Sequence, residues 1–448
     1  MGRSAPRPRA ERARSGGAIL LALCARHEER RHVNTTRGND YYALLARHDA
    51  MRLRRQMLSP GAVAAPDRTT AGGAHRPPCD EADRRLILGG LHLVTPFDDL
   101  ITHLYEVMFG RWPYLRSLFP DSMTFQRQHL AQVFGYLTDR LDRPDEVAAT
   151  FTRLGRDHRK LGVRPAHYEA FEAALCEALR ARAGARWTTE LEGAWLRMLR
   201  FAVGAMVAGA DAAITEPPAW HATVVGHELR RPDLAVLRVR THERYPYRAG
   251  QYGALEAPSL PHAWRQYSMA CAPRADDEIE FHVRRTGAGG VSEALVSRTR
   301  VGDTLRLGPA AGTMTLDGHL THDLLLVAGG TGLAPFKALV DELGTRPPGD
   351  RRVHLFVGAR HHADLYDRDW LADVERRRPW LRVLPVFGGT PATLAAVRRH
   401  GERLGLDWSG RAAAVSGPPE MVRATVAELR DLGLPADRIR HDPLPGAP

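Results

Sequence analysis

Lysine is nearly absent from this 448-residue chain: Lys160 and Lys337 are the only two among 63 basic residues. Biased coding composition accounts for the arginine excess without invoking phosphate recognition. Cysteine is scarce too. Cys24, Cys79, Cys176 and Cys271 are widely spread and form no C-x-x-C pair, which excludes a cysteine-held zinc or iron–sulfur site and argues against a disulfide framework. No apolar run approaches the roughly 18 residues of a membrane helix, so no span is expected. Internal repeats are lacking too. With 44% hydrophobic residues the composition is that of a globular protein, and the length suggests several domains.

The formal charge of +11 is not spread evenly. Residues 1–80 hold 15 arginines against 7 acidic residues, a surplus of 8 that leaves only +3 for the rest. The basic character therefore belongs to a tail, and no nucleic-acid partner is expected for the folded body. Residues 1–80 read as a disordered extension, interrupted by an amphipathic pattern at 40–57. The apolar stretch at 18–25 has the look of a short export-signal core. A disordered extension or a misassigned translation start is the favoured reading of it, and with so few cysteines cytoplasm is the default location.

Three styles of patterning follow. Residues 83–213 carry apolar positions three and four apart with no strand-like alternation, which predicts an all-helical domain. Glu216-Pro217-Pro218 breaks the last helix. Across 217–318, short β-branched stretches at 222–225, 234–239, 279–283 and 304–307 are separated by Gly, Pro and Asp turns, predicting an antiparallel barrel. Within 319–448, apolar runs at 324–328, 353–357, 381–386 and 412–415 alternate with helical segments, predicting a parallel, doubly wound α/β domain.

Gly329-Gly330-Thr331-Gly332-Leu333-Ala334-Pro335 follows a buried-strand run and opens a helix. Glycines there let the backbone approach a pyrophosphate, and the helix N-terminus offers it unpaired N–H groups. Arg265-Gln266-Tyr267-Ser268 joins a guanidinium suited to a diphosphate, an aromatic suited to a flat ring and a hydroxyl for its edge. An ordinary exposed strand pair gives the plain alternative for Arg265 and Tyr267. Gly289-Gly290-Val291-Ser292 supplies a second helix N-terminus. With Gly250-Gln251-Tyr252, these motifs make residues 219–443 resemble the ferredoxin–NADP reductase family. The resemblance implies that Tyr252, Arg265, Gln266, Tyr267, Ser268, Gly290, Val291 and Ser292 hold FAD. It implies that Gly329, Gly330, Thr331, Gly332 and Pro335 hold the nicotinamide nucleotide. Ser416-Gly417-Pro418 matches that family's C-G-P element with serine in place of cysteine, and no aromatic residue follows Arg440 where the family carries one over the flavin. Arg360 follows the second strand of the nucleotide domain, where a 2′-phosphate would be met. The neighbouring Asp364-Leu365-Tyr366 resembles NADH-using members, and NADH is favoured slightly.

Upstream, His103-Leu104-Tyr105-Glu106-Val107-Met108-Phe109 and Pro113-Tyr114-Leu115-Arg116-Ser117-Leu118-Phe119-Pro120 resemble the flavohaemoglobins, so the helical segment is expected to be a globin. By that resemblance His158 is the iron ligand of haem b, and Tyr105 and Gln126 are distal hydrogen-bond donors. Phe119 and Leu130 then wall the haem, while Tyr168 joins the proximal histidine in a network. Taken alone, His158 is one of 21 histidines on a charged helix, and Tyr105 is a core tyrosine. The family's proximal glutamate falls on Ala210, with Asp211 beside it; Asp211 replaces it only if the last helix shifts or ends there. The resemblance implies a nitric oxide dioxygenase, in which reducing equivalents pass from NAD(P)H through FAD to haem and NO is oxidised to nitrate with O2. Two other readings stay open: a haem-based oxygen or redox sensor with a slow reductase, and an NAD(P)H:flavin or ferric reductase whose globin part lacks haem. The electron chain is self-contained, and the sequence is silent on oligomeric state.

Overall fold

A computed structural model describes residues 80–316, 320–404 and 408–442. The N-terminal extension, with its expected helix at 40–57 and apolar stretch at 18–25, lies outside these residues, as does the chain beyond Asp442.

The described chain opens on helices α1 (Glu81–Gly90), α2 (Phe97–Arg111), α3 (Thr124–Asp139), α4 (Pro144–His158), α5 (Pro165–Ala183) and α6 (Thr189–Ala212). Their starts have chemical causes. Asp80 accepts the N–H of Asp83 at 2.8 Å and Thr188 that of Leu191 at 3.2 Å, each satisfying a donor that the helix itself leaves unpaired. Pro144 and Pro165 occupy first-turn positions, where proline's missing N–H costs nothing. The core gathers round Trp195, which is fully buried and has Phe134 at 6.1 Å and Phe97 at 6.5 Å between ring centroids. Asp83 is buried at the far end of this bundle and ties α1 to α6 through Arg197 Nε at 2.7 Å.

After Glu216 the pattern changes to strands β1 (Trp220–Arg231), β2 (Leu234–Thr241), β3 (Tyr252–Glu256), β4 (Arg265–Ser268), β5 (Glu278–Arg284) and β6 (Thr304–Leu307). They form one antiparallel sheet in the order β4-β3-β6-β1-β2-β5. Its two ends meet: Ala270 N–H donates to Glu280 O at 2.7 Å and Met269 bridges Phe281. Closure removes the exposed edges that a flat sheet would present.

The last part holds strands β7 (Asp323–Gly329), β8 (Val353–Ala359), β9 (Leu381–Phe387), β10 (Arg411–Ser416) and β11 (Ile439–Arg440), all parallel, in the order β11-β10-β7-β8-β9. Helices α7 (Leu333–Thr345), α8 (Arg368–Arg377), α9 (Gly389–Leu404) and α10 (Pro419–Asp431) connect them. The strand order reverses at β7, which has β8 on one side and β10 on the other. Ligands of such sheets bind outside the carboxyl ends of the strands at that reversal. The expected succession of helical, antiparallel and parallel domains is thus the observed one.

Candidate active site

The helical domain gathers aromatic side chains on α2 and on the segment that follows it. Tyr105 on α2 is buried and meets Phe109 (5.6 Å, stacked) and Phe119 (5.6 Å, edge-on), while Phe109 meets Phe119 at 5.3 Å. Burial pushes the Tyr105 hydroxyl well above the usual tyrosine range, so it is a proton donor at any working pH. Gln126, on the first turn of α3, keeps its Oε1 buried with no hydrogen-bond partner among the described residues. Leu130 lies one turn on and packs on the globin core.

His158 is the last residue of α4. Its Nδ1 stands 2.9 Å from the carbonyl of Leu154, which only accepts, so Nδ1 carries the proton and Nε2 keeps its lone pair. Burial lowers the pKa of this imidazole, against the pull of Asp157; Lys160 and His129 lower it further. Tyr168 on α5 is half-buried, and burial pushes its hydroxyl up to about 12. No hydrogen bond joins Tyr168 to His158 among the described residues. Helix α6 continues through Ala212, leaving Ala210 partly buried and Asp211 exposed. One residue turns a helical side chain by about 100°; among charges, that of Asp157 raises the pKa of His158 most. A neutral imidazole with a free Nε2, a buried tyrosine among aromatic rings and an unpaired buried amide oxygen are groups that fit a haem.

The end of α4 is bonded to the barrel. Asp157 pairs with Lys160, whose buried ammonium lies over the Trp264 ring at 5.1 Å. Arg306 reaches the same ring at 5.0 Å, donates to the carbonyl of Lys160 at 3.0 Å and pairs with the buried Glu256 at 2.6 Å. Arg159 donates to the carbonyl of Glu216 at 2.7 Å. A second bridge starts at Arg265, whose guanidinium lies 4.0 Å from the centroid of Phe125 on α3. Phe125 in turn stacks on His129 at 5.7 Å and 6°.

In the barrel, β3 and β4 pair so that Tyr252 faces Ser268, Gly253 faces Tyr267 and Leu255 faces Arg265. Gln266 is exposed and Tyr267 packs partly on the barrel core. Asp442 enters this cradle from the end of the described chain. Its Oδ1 is buried without a partner, burial raises its pKa to about 6, and its charge is felt at Tyr252. A Cβ on Gly312 would stand 2.9 Å from Asp442 Oδ1 and 3.0 Å from Tyr252 Cδ1. An aromatic cradle carrying an unpaired buried carboxyl oxygen fits the polar edge of a flavin. Gly290 precedes a helical turn, Val291–Glu293, with Val291 and Ser292 both buried. The Ser292 hydroxyl accepts from Thr286 N–H at 3.1 Å, so it is engaged within its own loop.

The nucleotide loops converge although 84 residues or more separate them in sequence. Gly329 ends β7, Gly330 takes φ of +55°, and Gly330–Gly332 leads into α7, where Pro335 sits in the first turn. A Cβ on Gly332 would stand 2.2 Å from the carbonyl of Ser416, and one on Gly417 would stand 3.1 Å from Gly329 Cα. Glycine is thus required for Thr331 and its neighbours to pack on the Ser416-Gly417-Pro418 turn. Both turns lie at the carboxyl ends of β7 and β10, at the reversal of strand order. Arg360 is exposed just past β8, and His362 stacks on Phe387 at 3.7 Å.

Residue spacing had not pointed to His129, Phe125, Asp157, Trp264 or Asp442. Nor had it pointed to the buried cluster in which Lys337 Nζ meets Asp367 at 2.6 Å and Glu280 at 3.0 Å. The one available signal was the pair of lone lysines, both of which are buried.

Comparison with known proteins agrees with this construction. The Globin family matches residues 102–206, the Oxidoreductase FAD-binding domain 221–315 and the Oxidoreductase NAD-binding domain 326–427. The naphthalene 1,2-dioxygenase system ferredoxin–NAD(P)(+) reductase component of Pseudomonas putida is 34% identical over 245 residues, covering 52% of this chain and 71% of that protein. The flavohemoprotein of Bordetella pertussis is 27% identical over 381 residues, covering 77% of this chain and 92% of that one. A crystal structure of flavohemoglobin from Malassezia yamatoensis, with bound FAD and heme, shares the fold: TM-score 0.66 at 17% identity, covering 81% of this chain and 99% of that one. Among the described residues no helix is long and apolar enough to cross a membrane. A globin followed by FAD-binding and NAD-binding oxidoreductase domains, alike in order and in fold, makes this chain a member of the flavohaemoglobin family.

Proposed function

We propose that the protein is a nitric oxide dioxygenase, spending NAD(P)H and O2 to convert NO to nitrate in the cytoplasm. When bound, haem supplies an iron that takes O2, and FAD divides the hydride of NAD(P)H into single electrons. The observation that carries the reading is the bonding of the last turn of α4 to the barrel through Asp157, Lys160, Trp264 and Arg306. That contact sets the iron-binding histidine against the flavin domain.

The chain's own residues divide the work. His158 offers Nε2 while Leu154 fixes its tautomer. Tyr105 keeps its proton and presents a hydroxyl to the distal side, and Gln126 adds a side-chain amide. Phe119 and Leu130 keep water from the haem site. Tyr252, Arg265, Tyr267 and Ser268 seat the flavin. The Gly329–Gly332 turn and Ser416 would hold the nicotinamide nucleotide, and the exposed Arg360 would be free to meet its phosphate.

An anaerobic NADH titration tests this. Bleaching of the flavin followed by conversion of ferric to ferrous haem is expected, and aerobic NO consumption should then track NADH oxidation. Flavin bleaching with haem still ferric would overturn it. Ala210, which stands where the family's proximal glutamate falls, carries no carboxylate, and this favours a second reading: an oxygen-binding or redox-sensing globin with a slow reductase. NO turnover far above the rate of haem autoxidation would exclude that alternative.

A further inference from the structure

Arg265 is a cation without a counter-ion. Its neighbours at the joint between globin and barrel are paired, Arg306 with Glu256 and Lys160 with Asp157. Arg265 is half-buried, and among the described residues no carboxylate pairs with it. Its guanidinium makes one hydrogen bond, from Nη1 to the carbonyl of Trp264 at 2.8 Å, and burial lowers its pKa. Charges taken out of water are ordinarily paired. A fork with Nε and Nη2 unspent is therefore fitted to an anion that grips it at two points, as a phosphate does.

The group that holds this fork comes from the other domain. Arg265 Cζ lies over the ring of Phe125, 4.0 Å from its centroid. At that distance the planar guanidinium lies on the face of the ring, because an N–H pointed into it would hold Cζ farther away. Phe125 stands in the first turn of α3 and is 46% exposed, outside the apolar core of the globin. Its other flat neighbour is His129, parallel to it within 6° at 5.7 Å. A ring that its own domain's core does not use, set against an unpaired cation of the barrel, covers one face of the fork and leaves the N–H edge open.

We propose that the globin completes the FAD site: Phe125 is a positioning residue that holds the Arg265 fork towards the FAD diphosphate. The proposal rests on the reading that the barrel seats FAD with Arg265 at that end. Flavin affinity then depends on a side chain of the haem domain. Loss of the ring loosens the cofactor while the strands of the barrel and the core of the globin stay as they are.

Dissociation constants for FAD, measured on the full-length holoprotein from the fluorescence of flavin released on dilution, test this, with haem content as a second readout. Phe125→Leu keeps the apolar bulk and removes the π face, and should weaken FAD binding by about three- to tenfold, the factor for a partly desolvated cation–π contact. Phe125→Tyr should restore the affinity. Arg265→Met should itself weaken FAD binding, and adding Phe125→Leu to it should change nothing further, as required of a residue that acts through Arg265 alone. Haem content should be the same throughout.

Wild-type affinity in Phe125→Leu would overturn the proposal. So would a loss that Phe125→Tyr does not restore, a loss of equal size in the Arg265→Met background, or haem lost along with FAD, which would make Phe125 a structural residue of the globin. Wild-type affinity in Arg265→Met would overturn both this proposal and the placing of Arg265 at the diphosphate. None of these readouts uses nitric oxide, so a failure of the dioxygenase reading leaves them standing.

Discussion

Gly155 and Gly209 face each other across α4 and α6, each lying under a backbone carbonyl of the opposite helix. A Cβ on Gly155 would stand 1.9 Å from Met206 O, and one on Gly209 would stand 2.0 Å from Thr152 O. No side chain separates the two backbones here. Alanine at either position must push the helices apart, a type of overpacking that costs roughly 1–3 kcal/mol and occasionally more. Urea unfolding of Gly155→Ala and Gly209→Ala, followed at the haem band, should show midpoints lowered accordingly. Unchanged midpoints would mean that the helices separate more easily than this contact implies.

His158→Ala should abolish stable haem binding while leaving FAD content and NADH-driven flavin bleaching within about twofold of wild type, since distant sites usually behave independently. The ratio of haem to flavin absorbance in the purified protein reads this directly. Full haem retention would assign the iron to another ligand.

Acid should weaken the joint between barrel and nucleotide domain. Burial pushes the Glu280 carboxyl up, but the hydrogen bond with His282 and the charge of Lys337 outweigh it and hold the pKa at about 2, against an ordinary 4.5. The native state therefore binds fewer protons than the unfolded chain in that interval, and the stabilisation present above pH 4.5 is lost as pH falls towards 2. Glu280→Gln should flatten the acid limb of stability against pH. Lys337→Met, which strands the buried Asp367 and the half-buried Glu280, should cost about 3 kcal/mol at neutral pH.

Asp442 should behave in the opposite sense. Burial raises its pKa from 3.8 to about 6, so the native state binds the proton more tightly and stability falls as pH rises through that window. Asp442→Asn should stabilise the flavin-free protein at pH 8 by on the order of 1 kcal/mol, allowing for partial exposure, and leave it nearly unchanged at pH 4. Equal effects at both pH values would show that the carboxyl is not held protonated by its surroundings.

The strand runs at 324–328, 353–357, 381–386 and 412–415 were legible because buried parallel strands are apolar on both faces; each lies within β7, β8, β9 or β10. The nucleotide turn was legible for a related reason, since its glycines answer to backbone contacts that no other residue permits. Ser292 shows where spacing stops: that its hydroxyl accepts the Thr286 N–H could not be read from the sequence. His129 was one histidine of 21 until the fold stacked it on Phe125. Lys160 and Lys337 were more informative than composition suggested. In an arginine-rich chain they occupy the two buried positions where an ammonium meets carboxylates within a crowded interior, a place for a compact charge on a flexible stem rather than a planar fork.

The hold of Arg306 on the carbonyl of Lys160 bears on how far such a chain can be treated as modular. Two residues before that carbonyl stands His158, so the setting of the iron ligand belongs jointly to the globin and to the barrel. A globin severed after Glu216 would give up Arg306 and Trp264 together. A chimera that borrows its reductase from a relative should keep its haem environment only where the donor brings an arginine and an aromatic ring to those same two places.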